Sequence, residues 1–443
     1  MPDEMIMDKE PNSLLLLHLS DIHFQEPYCL NLETDQDHPI RIALRNDLRE
    51  MVSRIGKVDT ILVSGDIAYK GNEEEYKVAA EWFSEITSIA CCTKTAIYTV
   101  PGNHDINRTI AGNLTVQAAR NLVIKDSPTG VVRDRNLQDT LRDETLGPAL
   151  ISPLEKYNLF AASFKCDLSP QSPFWVQSLP LSPGWQIKIH GLTTSLFSGP
   201  KDDMRGALYV GSLQHAFAPD DGIIHIALMH HPPDWLCDND ELEDDLWNHC
   251  ALHLLGHKHR QRYRPGPNGV RLIAGAVNPQ RGEAEWIPGY NLIKLRVELN
   301  NLQYALRIES YRRVWQADPP RFVATKTDGD EDVFVNTVTL RQHPSQTAAK
   351  TEQMNNPIPP TKASVLDQVE VSDMSEPHRD LVYAFWKLTA SQRRKIMQDL
   401  NLLNKEDDQL PETQRYRLAF ERARAGARID ELRNEVLRLS AQH

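Results

Sequence analysis

A chain of 443 residues, 40% of them hydrophobic and 25% charged, has the composition of a globular protein and the length for one large domain with a smaller one beside it. Its formal net charge of −12 argues against a protein built as a whole to coat nucleic acid, although a local basic groove fits within an acidic chain. The N-terminal stretch MPDEMIMDKEPNS is acidic where a secretory signal is basic, and no apolar run is long enough to span a bilayer, so a cytoplasmic location is expected.

Short apolar runs recur through the first three-quarters of the chain, at 14–19, 60–63, 96–100, 187–189, 223–229, 252–255, 270–273 and 292–297. Lengths of four to eight with Ile and Val enrichment suit buried strands. Between the early runs, 40–55 and 73–86 carry apolar residues at helical spacing. Strands alternating with helices, then strand after strand, predict an α/β (α+β) domain over 1–342 with two packed sheets flanked by helices. A polar, helix-rich insertion over about 109–165 is either a substrate-facing cap or a surface excursion. The six cysteines, Cys29, Cys91, Cys92, Cys166, Cys237 and Cys250, show no CxxC spacing and read as reduced, packed thiols.

The composition turns polar and proline-containing over 343–375, which reads as a linker. A helical bundle is expected over 376–443. Thr389 and Gln392 have the spacing of a capping box ahead of Ile396, Met397 and Leu400. Pro411 suits the first turn of the next helix, with Tyr416, Leu418 and Phe420; Ile429, Leu432, Val436 and Leu439 form an apolar stripe.

Five motifs stand where apolar runs end: Asp21-Ile22-His23, Gly65-Asp66, Gly102-Asn103-His104-Asp105, His230-His231 and Gly256-His257-Lys258-His259. Strand ends project side chains from a rigid scaffold into a shared crevice. Carboxylate and amide oxygens mixed with imidazoles suit Mn²⁺, Fe, Zn²⁺ or Mg²⁺ rather than a thiolate zinc site. Strand alternation would turn Asp21 and His23 to one side, and likewise His257 and His259, while pointing His230 and His231 apart. Asp66 is suited to bridge two cations.

These residues, with the phrases HLSDIHF, SGDIAYKGNEEEY, VPGNHDINR, HHPP and AGA…GYNLI, resemble the calcineurin-like metallophosphoesterases over roughly 13–300. The resemblance implies a four-layer αββα sandwich and two divalent metal ions, Mn²⁺ foremost. It implies one metal on Asp21, His23, Asp66 and His259, and a second on Asp66, Asn103, His230 and His257, with a bridging water or hydroxide as nucleophile. His104 takes the position that protonates the leaving oxygen or stabilises phosphoryl charge, and Asp105 orients His104 or closes the turn. His231, Arg108, Tyr69 and Asn72 are candidates to face substrate or support the ligands. His18, His190, His225, His249 and His253 read as structural, and the acidic run 238–245 as a solvated loop before a helix.

The motif set is most similar to the small bacterial phosphodiesterase branch, which implies a nucleotide or nucleic-acid phosphodiester substrate; a phosphomonoesterase, or a scaffold with a regulatory catalytic domain, are the alternatives. The stretch LVYAFWKLTASQRRKIMQDLNLL with LPETQRYRLAFERARAGARIDELRNEVLRL resembles effector-associated, death-like adaptor domains of bacterial conflict systems, implying a protein partner and a role in defence or signalling. Its arginines Arg415, Arg417, Arg422, Arg424 and Arg428 could instead meet nucleic acid, but the interleaved acids favour a solvated face.

Overall fold

The computed structural model describes residues 12–340 apart from 94–95, 126, 128, 200–203, 219, 279–285 and 301–302. Beyond these it describes residues 381, 385, 388, 390–404, 407, 412–425 and 428–440. The described residues fall into two compact units, one within 1–356 and one within 357–443. The 343–375 segment, Thr389, Pro411 and the side chain of Leu439 lie outside the described residues.

The first unit is two mixed sheets flanked by helices. One sheet contains β1 (Ser13–Leu19), β2 (Thr60–Val63), β3 (Ile97–Thr99), β10 (Gly289–Asn300), β11 (Gln303–Ala317), β12 (Pro320–Ala324) and β13 (Phe334–Thr339), in the order β12-β11-β10-β1-β2-β3 with β13 also on β11. The other runs β4-β5-β6-β7-β9-β8, from β4 (Trp175–Ser182), β5 (Trp185–Leu192), β6 (Ile223–Met229), β7 (Cys250–Leu255), β8 (Arg262–Gly266) and β9 (Gly269–Ile273). Strands β1, β2 and β3 are mutually parallel, as are β5, β6, β7 and β9. All seven residues of β1 and all four of β2 are buried, as parallel strands covered on both faces require.

Helix α1 (His38–Ile55) turns Leu44, Leu48, Met51 and Val52 into the core. Helix α2 (Glu73–Ala90) packs on α1 and buries Tyr76, Ala79, Phe83 and Ile86. Asn72 and Glu75 close a capping box at its start, satisfying two N-terminal amides.

The insertion begins with α3 (Arg108–Ala111), α4 (Leu114–Ile124) and α5 (Gly130–Arg142), then α6 (Leu146–Ile151) and α7 (Glu155–Ala161). It is no loose excursion: Ala119, Val123, Leu137, Leu141 and Leu150 share a core with Met229, Leu236 and Leu255 of the second-sheet side. The acidic run is likewise not a loop. It opens α8 (Asn239–His249), where Asp240 and Glu241 complement the helix N-terminus. Asp238 accepts from the Gly211 amide at 2.8 Å, and Glu243 pairs with Arg271.

The second unit has α9 (Ala390–Asp399), α10 (Glu412–Ala425) and α11 (Ile429–Ser440) around Phe385, Ile396, Met397, Tyr416, Leu432 and Val436. In α10 the small Ala419 and Ala423, not Leu418, share the core with Tyr416. Three of the five arginines noted above are used internally, and the side chains of Arg417 and Arg424 lie outside the described residues. Arg422 donates to the Leu402 carbonyl at 2.9 Å and to Asp407 at 3.0 Å, Arg415 to the Asp407 carbonyl, and Arg428 to the Leu400 carbonyl. Among the described residues no helix is long and apolar enough to cross a membrane, and all six cysteines are unbridged.

Candidate metal centre

Three motifs leave the parallel strands of the first sheet and two leave those of the second, all at carboxyl ends. The loops after β1 and β2 are laced together: the amides of Asp21, Ile22 and His23 donate to the Gly65 and Asp66 carbonyls at 2.8 to 3.0 Å. Asp21 and His23 lie beyond the end of β1, and His257 and His259 beyond β7, so strand alternation does not orient them. Each instead has left-handed backbone, with φ of 51°, 51°, 68° and 49°, as does Asp66 at 53°. Asp and His tolerate this region better than bulky residues, at a strain of order 1–3 kcal/mol each. Five such residues in one crevice mark a place where geometry is held against local preference.

Close approach accounts for the motif glycines. A Cβ on Gly65, whose φ is 93°, would meet His230 Nδ1 at 2.6 Å, and one on Gly102 would overlap the Asp66 carboxylate.

Asp66, 1% exposed, sits at the middle. Its Oδ1 accepts from the His104 amide at 2.8 Å. Its Oδ2 lies 3.8 Å from His23 Nε2 and 3.2 Å from His230 Nε2. On one side Asp21, His23 and His259 gather with Asp66 so that one donor atom from each lies within 4.8 Å of every other. His259 Nε2 is 3.3 Å from Asp21 Oδ1. On the other side Asn103 Oδ1 lies 3.1 Å from both His230 Nε2 and His257 Nδ1. The structure thus gathers the other six candidate ligands around Asp66.

The electrostatics keep a carboxylate at the middle and leave two of the imidazoles around it neutral. Burial pushes the Asp66 carboxyl up, but the His230 and His104 imidazoles outweigh it and hold the group well below its usual range. Burial alone would make His230 neutral; the Asp66 carboxylate instead raises it to about 9. Burial drives His23 and His257 down to about 3, leaving neutral imidazoles, the form that ligates metal. His230 Nδ1 donates to the Ser64 carbonyl at 2.7 Å, which turns Nε2 toward Asp66 and Asn103. Both ring nitrogens of His23 and Oδ2 of Asp66 are buried without a hydrogen-bond partner. Buried polar atoms of this kind are costly unless something satisfies them. Converging carboxylate, imidazole and amide donors fit divalent cations by number and chemistry.

His230 and His231 do not point apart: their ring centroids are 4.7 Å from each other, and His231 is 4.6 Å from His257. Only His230 reaches Asp66 and Asn103. His231 is held by the Thr194 hydroxyl at 2.9 Å. Asp105 does not orient His104. Its carboxylate accepts from the Ala68 amide at 3.0 Å, the Gly102 amide at 2.9 Å and the Tyr76 hydroxyl at 2.9 Å, closing the turn from below. His104 is instead held through Nδ1 by the Tyr69 carbonyl at 2.9 Å, and its ring stacks on Tyr69 with centroids 5.0 Å apart.

Tyr69 borders two cavities of about 370 Å³ each: one beside His104 with Lys70, Asn72 and Arg108, the other beside His23. The Asn72 amide group bonds Glu26 and its backbone opens α2, so its role is structural as well. Sequence reasoning passed over Thr194, Trp235 (4.1 Å from His257), Asn278 and the Lys258–Asp234 pair that braces the last motif. His18, His190, His225 and His253 are buried and hydrogen-bonded away from this centre or behind it.

The sequence matches the calcineurin-like phosphoesterase family over residues 14–261, more than half of the chain, and the GTPase-associated adaptor domain over 377–438. A metallophosphoesterase-like protein of Bacillus subtilis, YydB, is 32% identical over 105 residues, 23% of this chain and 20% of that protein's length. Among solved structures, Vps29 of Chaetomium thermophilum overlaps 74% of this chain and 100% of its own at 10% identity, with a TM-score of 0.29. GAP50, the anchor in the inner membrane complex of Plasmodium, overlaps 78% and 98% at 10% identity, with a TM-score of 0.36.

Proposed function

The chain belongs to the calcineurin-like phosphoesterases, and from that premise we propose that it is a phosphodiesterase with a binuclear metal centre acting on a nucleotide or nucleic-acid phosphodiester. The observation that carries the binuclear reading is Asp66 Oδ2, buried between the His23 and His230 imidazoles with no hydrogen bond of good geometry and only the charge of His230, 3.2 Å away, against it. Asp21, His23, Asp66 and His259 would hold one cation, and Asp66, Asn103, His230 and His257 the other. Mn²⁺ suits this mixed oxygen and nitrogen set, with Fe, Zn²⁺ or Mg²⁺ able to substitute. Cations held there supply Lewis-acid activation of water and of the phosphoryl oxygens.

The chain's own residues supply the rest. The Tyr69 carbonyl accepts from His104 Nδ1, so His104 Nε2 is the nitrogen left to give a proton to the departing ester oxygen. Lys70 and Arg108, on the wall of the cavity beside His104, favour an anionic substrate. The diester reading is supported by the cavities on either side of Tyr69, since a phosphodiester brings two organic substituents and a monoester one. The adaptor-type helical unit would recruit a protein partner, making the phosphoesterase the effector arm of a bacterial defence or signalling assembly.

The test is hydrolysis of bis-p-nitrophenyl phosphate beside p-nitrophenyl phosphate, with Mn²⁺ present and after chelation. Metal-dependent turnover that favours the diester is expected. Preference for the monoester would replace the reading with a phosphomonoesterase, and turnover of neither with two metals bound would favour a scaffold.

A further inference from the structure

The cavity beside His23 differs in character from the one beside His104. Gln25, Tyr28, Gln36, Asp37 and Asn278 line it, and its chemistry disfavours an anion. The Arg41 guanidinium on its wall is already spent, paired with the buried Asp35 carboxylate and lying 4.9 Å over the Phe24 ring. What remains is polar, carboxylate-bearing and aromatic.

Two features point to an uncharged aromatic ligand. Asn278 is 1% exposed; its Nδ2 donates to the Ile22 carbonyl at 2.9 Å, which fixes the amide, and its Oδ1 is buried with no partner. A buried acceptor of this kind needs a donor. At the rim the Tyr28 ring is 51% exposed and, among the described residues, packs on no other ring. Tyr69 forms the wall nearest the metal centre. An exposed tyrosine beside acceptors in a cavity of this size is a stacking platform with hydrogen-bond readout, the combination that nucleobases fit.

Resting on the diesterase reading above, we propose that this cavity is a nucleoside subsite. The base stacks on Tyr28, a base amino group or sugar hydroxyl donates to Asn278 Oδ1, and the attached phosphoester lies at the His23 end. Lys70 and Arg108, in the other cavity, then meet whatever lies on the far side of the phosphorus.

Calorimetric titration of the full chain, with and without Mn²⁺, tests this with adenosine, cytidine, ribose and inorganic phosphate as probes. Nucleosides should bind in both metal states and ribose should not. Tyr28→Ala should weaken nucleoside binding about tenfold or more, and Tyr28→Phe should restore most of it. Equal binding of nucleoside and ribose, or Tyr28→Ala without effect in a protein of normal thermal stability, overturns the proposal. Competition then separates two sources of the nucleoside. Displacement of bound adenosine by 3′,5′-cyclic AMP alone assigns a mononucleotide, displacement by a dinucleotide an oligonucleotide, and displacement by neither sinks the subsite. Nucleoside binding without hydrolysis of any diester would leave the subsite standing and remove the catalytic reading; diester hydrolysis without nucleoside binding would do the reverse.

Discussion

His104 Nδ1 lies 2.9 Å from the carbonyl oxygen of Tyr69, and the two rings stack with centroids 5.0 Å apart. The carbonyl can only accept, so the Nδ1 proton is fixed and any proton the ring delivers must leave from Nε2. His104→Ala should therefore keep both metals and lower kcat by about 10²–10⁴ on a diester with an alkoxide leaving group. The loss should be smaller for p-nitrophenolate, which departs without protonation. An equal loss for both leaving groups would assign His104 to phosphoryl charge instead, and full turnover would remove it from the chemistry.

The His23 nitrogens and Asp66 Oδ2, buried without hydrogen bonds, make cation binding a matter of stability as well as catalysis. Ligand linkage at 100 times the dissociation constant contributes about 2.7 kcal/mol. Chelation should lower the Tm of the phosphoesterase unit, and Mn²⁺ should restore it. In Asp66→Asn the metal-dependent gain in Tm should largely vanish, together with turnover. A Tm gain of undiminished size in that variant would show that the cations bind elsewhere.

Asp105 is 1% exposed and ties the Ala68 and Gly102 amides and the Tyr76 hydroxyl to one carboxylate. Asp105→Asn puts an amide donor where a second acceptor stood, so it should cost about 2–3 kcal/mol in urea unfolding. Tyr76→Phe removes a single bond and should cost about 1 kcal/mol. If Asp105→Asn left stability unchanged and altered only kcat, the carboxylate would belong to the reaction and not to the loop.

The strands that carry the motifs were legible because they are buried on both faces, so 14–19, 60–63 and 223–229 read as apolar runs with a single polar residue each. Strand β11 escaped because buried positions alternate with half-buried ones that carry charge, as in QYALRIESYRRVWQA, and β13, FVNTVT, because it is short, half-exposed and broken by polar residues. The candidate ligands stood out because five motifs of hard oxygen and imidazole donors end apolar runs in the order the resemblance implies. Their orientation was not. Asp21 and His23 converge through left-handed backbone beyond the strand end, which no alternation pattern encodes. The groups that aim the imidazoles were equally hidden. The Ser64 and Tyr69 carbonyls that hold His230 and His104 are main-chain atoms and leave no trace in residue identity.

Away from the centre, His190 Nε2 donates to His225 Nδ1 at 2.8 Å, and His225 Nε2 donates to the Ala218 carbonyl at 2.9 Å. That chain requires His225 to be neutral with Nδ1 free to accept, while burial keeps His190 neutral. Burial drives His190 down to about 3 and lowers His225. A depressed imidazole contributes its stability above its unfolded pKa of about 6.5 and loses it as pH falls toward the folded value. Between pH 7.5 and 5, His190 should account for about 2 kcal/mol of lost stability. His190→Phe, though less stable at pH 7.5, should show a shallower decline on acidification. An unchanged slope would place the acid sensitivity elsewhere.

The helical unit has its own polar anchor in Arg422, which donates to the Leu402 carbonyl and to the buried Asp407 carboxylate. Removing the guanidinium leaves a buried carboxylate with fewer donors and a carbonyl without its cap, at a cost of about 1.5–3 kcal/mol. Arg422→Ala should therefore lower the unfolding transition of this unit and leave hydrolysis of bis-p-nitrophenyl phosphate untouched. Deleting residues 357–443 should do the same to hydrolysis, because the candidate ligands and the core beneath them all lie within 1–356. The measurement is kcat/KM on the small diester beside calorimetric unfolding of each form. A truncated chain that stays folded and metal-loaded but no longer turns over would show that the helices contribute to catalysis, and the recruiting role proposed for them would then have to give way.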